Sequence, residues 1–172
     1  MISPTDIATM PSFSGLAVPR DFYWVLDPPA PLAGMPYPYG FDWAAAHRLG
    51  FDALVCLTDD TLDYDCAPLA GSAVRLTDLY GGAFPRDPAD ELDRLRVGVT
   101  MVRDLRKAGD GVIVHCAGGT GRTGTVVGAV LVSEGLPIED TVSWLDVLHR
   151  RRGKSGWPES PWQAQILQEF IR

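Results

Sequence analysis

The chain has 172 residues, 46% hydrophobic and 22% charged, with a formal net charge of -7 at pH 7. That is enough to bury one core of ordinary size without a disulfide scaffold. The acidic balance argues against a general nucleic-acid or anionic-membrane surface, since each needs a basic patch.

The opening residues lack a basic n-region followed by an apolar h-region, and no run approaches the roughly 18 apolar residues of a spanning helix. A single domain over residues 1–172 is expected, with residues 1–20 set apart as a candidate flexible segment. Next, "VLDPPAPLAGMPYPYGF" is rich in Pro, Tyr and Gly and reads as an ordered but irregular surface segment, lining a cleft or covering a sheet edge. "DWAAAHRLG" reads as a short helix closed by Gly50, "FDALVCLT" as a buried strand and "SAVRLTD" as a second strand. After the Gly/Pro loop "LYGGAFPRD", the spacing of Leu92, Leu95, Val99, Val102 and Leu105 predicts a helix from Pro88 to Gly109. "GVIVHC" is a strand, "RTGTVVGAVLVSEG" a helix, and "PIEDTVSWLDVLHRRR" and "SPWQAQILQEFIR" two more helices. The basic run "HRRRGK", 149 to 154, reads as a solvated helix C-terminus. Strands alternating with helices predict an α/β layer fold around a mostly parallel central sheet.

Cysteine and histidine usage adds two negatives. Cys56, Cys66 and Cys116 are an odd set without metal-ligand spacing, which suits reduced thiols and a cytoplasmic location. The histidines at 47, 115 and 149 form no ligand cluster, so neither metal nor cofactor is expected.

The chemistry concentrates in "VIVHCAGGTGRTG". Between Cys116 and Arg122 lie Ala117, Gly118, Gly119, Thr120 and Gly121. Glycines at these places let successive backbone N–H groups turn around a small tetrahedral anion, and the helix starting near Arg122 aims its positive end at the same spot. The competing P-loop needs a Lys-Ser/Thr pair that is missing, and "GGTGRTG" is not G-x-G-x-x-G. A buried, inert cysteine beside a tight turn is the plain alternative. If the loop is a phosphate cradle, holding the thiol ionised calls for several kcal/mol, of which a helix dipole supplies about 0.3–2. The converging amides, the Thr123 hydroxyl and the Arg122 guanidinium would supply the remainder. Arg122 can also grip two phosphoryl oxygens as they flatten in the transition state, which a lysine does less well.

With His115, Cys116, Arg122 and Thr123 in place, "HCAGGTGRTG" resembles the signature loop of cysteine-based protein phosphatases. "FYWVLDPPAPLAGMPYP", "LGFDALVCLTDD", "VRLTDL" and "ESPWQAQIL" are similar to successive segments of the small atypical dual-specificity branch, so the likeness spans roughly residues 22 to 170. The resemblance implies a protein tyrosine or dual-specificity phosphatase fold. It also implies a phosphocysteine intermediate on Cys116, phosphoryl binding by Arg122 and help from Thr123 in its breakdown. His115 would orient the loop, and Gln163 in "ESPWQ" resembles the glutamine that positions hydrolytic water in several relatives, although a surface helix glutamine reads equally well. The family's general-acid aspartate falls on Asp78 in "RLTDLY", with Thr77 where the family has proline. Asp87 is the rival, because "LYGGAFPRD" is longer than the relatives' loop, but it also suits a helix N-cap. "WPE", 157 to 159, comes after the cysteine loop instead of before it and is set aside as a Trp-Pro-Asp equivalent.

The expected substrate is a phosphorylated protein or small aryl phosphate, met by a monomer. The cradle carries no lysine, and the acidic stretch "TDDTLDYD" would repel polyanionic inositol lipids if it borders the site. Two alternatives stand beside this reading: a phosphatase for inositol phosphates or RNA 5′-phosphates, and a catalytically silent phosphate-binding module. Cys66 is a candidate resolving partner should Cys116 oxidise.

Overall fold

Burial along the strands shows how the layers form. The structure, a computed structural model, describes residues 1–3, 5–7 and 22–172. Five strands make one sheet in the order β1-β2-β5-β3-β4, with β1 (Tyr23–Leu26), β2 (Leu32–Met35), β3 (Ala53–Cys56), β4 (Ala70–Ala73) and β5 (Val112–His115). Only the β1–β2 pairing is antiparallel. Successive side chains on a strand point to opposite faces. Thus Ala53, Val55, Val112 and Val114 join one apolar cluster beneath α2 (Pro88–Ala108), α3 (Gly121–Ser133), α4 (Ile138–Arg151) and α5 (Pro161–Gln165). Leu54 and Ile113 join Phe22, Met35 and Phe51 on the other face, with Ala46 of α1 (Trp43–Arg48). The expected α/β fold, a mostly parallel sheet between helices, is what forms.

Helix boundaries obey local chemistry. Asp42 caps α1 through the Ala45 N–H, and Asp87 caps α2 through the N–H groups of Ala89 and Asp90, with Pro88 at the first turn. Gly109 closes α2 in the left-handed conformation at φ 104°.

Three expectations need correction. The Pro/Gly-rich stretch 25–41 is not wholly an irregular surface segment: it holds the end of β1 and all of β2, and all four residues of β2 are buried between β1 and β5. Four-residue strands between prolines are too short to show a period. The strand expected over "SAVRLTD" ends at Ala73. Val74 and Leu76 still donate to the Cys56 and Leu57 carbonyls at 2.9 and 3.1 Å, but the chain then leaves the ladder, so Asp78 lies beyond the strand end. The last predicted helix divides into α5 and a 3-10 turn, Ile166–Phe170.

At the N-terminus, the Ile2 N–H donates to the Glu134 carbonyl at 2.8 Å, and Ile7 bridges to Leu26. Residues 4 and 8–20 of the candidate flexible segment lie outside the described residues.

Candidate active site

β5 carries His115 and Cys116 to the C-terminal edge of the sheet, where ligand crevices of open α/β sheets lie. There the chain enters a loop whose carbonyls are tied down from outside. The Tyr37 N–H donates to the Ala117 carbonyl at 3.0 Å. The Gly119 carbonyl accepts from the Tyr23 hydroxyl at 2.8 Å and from Arg152 Nη1 at 3.2 Å. The Gly121 carbonyl accepts from the Thr125 hydroxyl at 2.8 Å and Trp157 Nε1 at 3.4 Å. In a trans peptide the N–H points opposite to its C=O. The N–H groups of Gly118, Thr120 and Arg122 are therefore turned away from these donors, and the first N–H groups of α3 have no partner within the helix. Gly119 has to be glycine: its φ is +70°, and a Cβ there would lie 2.6 Å from the Met35 carbonyl carbon. Gly118 meets no neighbour within 4 Å, so space does not demand a glycine there.

The loop borders an open cavity of about 360 Å³ lined by Cys116, Ala117, Gly118, Thr120, Gly121 and Arg122, and facing them Asp78, Tyr80, Lys154 and Glu159. Asp78 is placed by its neighbour. The buried carboxylate of Glu91 on α2 accepts from both the Thr77 N–H at 2.8 Å and the Thr77 hydroxyl at 2.6 Å. Thr77 is thus clamped to a helix. From there Asp78 Oδ1 accepts the Tyr80 N–H at 3.1 Å and Oδ2 accepts from Arg122 Nη2 at 3.2 Å. Its rival Asp87 is the exposed cap of α2 and does not line the cavity.

His115 is fully buried. Its Nδ1 lies 3.2 Å from the Cys116 carbonyl, and its Nε2 meets the Tyr64 hydroxyl in a short contact. Burial pushes the neighbouring Cys56 thiol up, but hydrogen bonds from His115 and Thr58 outweigh it and bring the thiol to about 6. Thr123 departs from expectation: its hydroxyl is buried without a partner among the described residues and makes no bond to Cys116. Gln163 is no surface residue. Only 1% exposed, it spends its Oε1 capping α5, accepting from the Glu159 and Ser160 N–H groups at 2.7 and 3.1 Å. Cys66 packs on the sheet face opposite the cluster that holds Cys116, so it is not placed to resolve it.

Sequence reasoning misses five residues around the site. The basic run 149–154 reads as a solvated terminus, yet His149 is fully buried, Arg152 lies 4.4 Å above the Tyr23 ring while bonding the Gly119 carbonyl, and Lys154 lines the cavity. Glu159, inside the discounted "WPE", lies beside the cysteine loop despite coming later in the sequence. Tyr23 has no role assigned by its sequence context, and an aromatic ring aligned with a glycine across a hairpin (Tyr23 with Gly34) is the signal that could expose it. The acidic stretch 58–65 contributes nothing to the cavity lining, and its Asp60 is paired with Arg94 and Arg75.

Among the described residues no helix is long and apolar enough to cross a membrane, and no group of three or more His, Cys, Asp or Glu could hold a metal ion.

Known proteins resemble this arrangement. Residues 53–136 match the Tc-R-P family, described as a polymorphic toxin system DSP-PTPase phosphatase. The crystal structure of Tk-PTP in the active form is 25% identical, with a TM-score of 0.60 over 81% of this chain and 90% of that one. Human DUSP28 is 20% identical, with a TM-score of 0.63 over 83% and 92%. PTPMT1 in complex with PI(5)P is 19% identical, with a TM-score of 0.56 over 81% and 88%. The last two are likenesses of fold.

Proposed function

We propose that this chain, a small atypical dual-specificity phosphatase of the cysteine-based protein tyrosine phosphatase superfamily, hydrolyses phosphotyrosine and related aryl phosphates, with tolerance for phosphoserine and phosphothreonine. One observation carries the reading: Cys116, Arg122 and the loop between them line one open cavity, and the N–H groups of Gly118, Thr120 and Arg122 turn away from the donors that hold the loop's carbonyls.

The substrate's phosphoryl oxygens take the N–H groups of the loop and the guanidinium of Arg122, displacing the Asp78 carboxylate that holds it in the free protein. Cys116 Sγ then attacks phosphorus opposite the leaving oxygen, which receives a proton from a facing carboxyl group. Arg122 and the loop amides stabilise charge on the three equatorial oxygens, an electrostatic contribution fixed before substrate arrives. Water, deprotonated by the same carboxyl group, releases phosphate and regenerates Cys116. His115, through its bond to the Cys116 carbonyl, and Tyr64 behind it keep the loop in register. We assign the protein to the cytoplasm, where a reducing environment keeps such a thiol usable; all three cysteines are free.

The experiment is hydrolysis of p-nitrophenyl phosphate by the parent and by Cys116→Ser, alongside a panel of phosphotyrosine and phosphoserine peptides. Turnover lost in the variant with an unchanged melting temperature supports the reading. Full activity in the variant, or none in the parent, overturns it. A second reading, a soluble or lipid inositol phosphate ester, is favoured by Lys154, which adds to the cavity the lysine that the loop between Cys116 and Arg122 lacks. Faster turnover of inositol phosphates than of phosphopeptides, reversed in Lys154→Ala, would favour it.

A further inference from the structure

The cavity holds two carboxyl groups, and phosphoryl transfer through Cys116 needs only one. We propose that Glu159 is a second acid-base residue of this site, carrying the proton that goes to the leaving oxygen and sharing that work with Asp78. The inference rests on the phosphatase reading.

Four observations support it. Glu159 lines the same cavity as Cys116, Arg122 and Asp78. Its carboxylate lies against the phosphate loop itself, because a Cβ on Gly121 would come within 2.0 Å of Glu159 Oε2. Its backbone is fixed on both sides: the N–H donates to Gln163 Oε1 at 2.7 Å, and the carbonyl accepts the Gly82 N–H at 2.9 Å. That second bond ties the segment bearing Glu159 to the one bearing Asp78, so the two carboxyl groups keep station across the cavity. Finally, the two have opposite partners. Asp78 is ion-paired with Arg122, whereas Glu159 is half-buried and has no ion pair among the described residues.

The charged and titratable groups facing Glu159 are Asp78 and Tyr80 from the segment after β4, Cys116 and Arg122 from the loop and α3, and Lys154 from the segment after α4. Burial first, and Asp78 second, push the Glu159 carboxyl group above its ordinary range, while Arg122 and Lys154 oppose them. Substrate sharpens this division. Once phosphoryl oxygens occupy Arg122, Asp78 becomes an unpaired anion facing Glu159 in the same cavity, and a second negative charge there makes it harder for Glu159 to ionise.

The chemistry balances. As the Sγ–P bond forms and the P–O bond breaks, the Glu159 proton passes to the leaving oxygen, releasing an alcohol or phenol and leaving a carboxylate. That carboxylate takes a proton from water while the water oxygen attacks phosphorus. The S–P bond breaks, phosphate departs, and Glu159 is protonated again.

The test is the pH dependence of kcat/KM for the parent, Glu159→Gln, Glu159→Asp, Asp78→Asn and the double variant Asp78→Asn/Glu159→Gln. It uses p-nitrophenyl phosphate, whose leaving group needs little protonation, and phenyl phosphate, whose leaving group needs much. General acids contribute about 10²–10⁴-fold. Glu159→Gln is expected to slow phenyl phosphate at least about tenfold more than p-nitrophenyl phosphate and to displace the basic limb. Glu159→Asp restores part of the limb, and the double variant loses it. If Glu159→Gln slows both esters equally, or leaves the ratio and the limb intact, the proposal is overturned, whatever the melting temperature does. A parent inactive on both esters brings down the phosphatase reading itself; an active parent with an indifferent Glu159 brings down only this inference.

Discussion

Across one cavity, the cysteine loop and the carboxyl groups that face it are held in contrasting ways. Cys116 and Thr120 are buried, Arg122 has a side chain only 12% exposed, and the loop's carbonyls are held by Tyr23, Tyr37, Trp157 and Arg152. Asp78 is 57% exposed on a segment that has left the sheet, and Glu159 lies between two helices. Gripping a phosphoryl group needs dipoles already aligned when it arrives. Passing protons needs a group that can change charge and partner, so a side chain left more open to solvent, carried on a backbone that is itself fixed, suits it.

If that contrast is right, changes to the grip should cost most. Arg122→Lys keeps a positive charge but loses the two-pronged fork, and kcat/KM for an aryl phosphate should fall by about 10²–10⁴-fold without a comparable fall in melting temperature. An effect below about threefold would place the grip elsewhere. Gly119→Ala puts a Cβ against the Met35 backbone at a positive φ, costing about 1–3 kcal/mol in denaturant unfolding together with most of the activity. An unstrained, active variant would mean the loop is not rigid. Tyr23→Phe removes one of two donors to the Gly119 carbonyl and leaves Arg152, so a loss of about 0.5–1.5 kcal/mol and a few-fold drop in kcat are expected.

The smallest effect concerns pH. Burial first, then Arg152 and Lys154, hold His149 down to about 3 from its ordinary 6.5. In keeping with a neutral ring, Arg152 Nη1 lies 2.8 Å from its Nδ1. A group depressed on folding is neutral in the fold and charged in the unfolded chain, so its stabilisation is present above pH 6.5 and drains away as pH falls toward 3. The parent's melting temperature should drop more steeply over that window than that of His149→Gln. Parallel curves would show that His149 is not held neutral.

Legibility in the sequence divides along the same line. The cysteine, the glycines and Arg122 lie within seven residues, and the strand before them and the helix after them are nearly unbroken apolar runs, so that half of the site can be read from the chain alone. Asp78 can be read by its place after a strand, although the strand stops at Ala73 and a clamp from Glu91 holds the position. Glu159, Arg152 and Lys154 cannot be read, because they reach the loop by the tertiary course of the segment after α4, and nothing local marks which basic residue turns inward. β1 and β2 escape for a related reason: their strand character comes from pairing in the sheet, with β2 against β5, not from their own short, proline-flanked sequences.

The central claim is a covalent one, and an acid-quenched reaction with an aryl phosphate tests it directly by peptide mass spectrometry. The account predicts one phosphoryl group on Cys116 in the parent and none in Cys116→Ser. Turnover in the parent with no phosphocysteine at any quench time, or with the phosphoryl group on another residue, would contradict it.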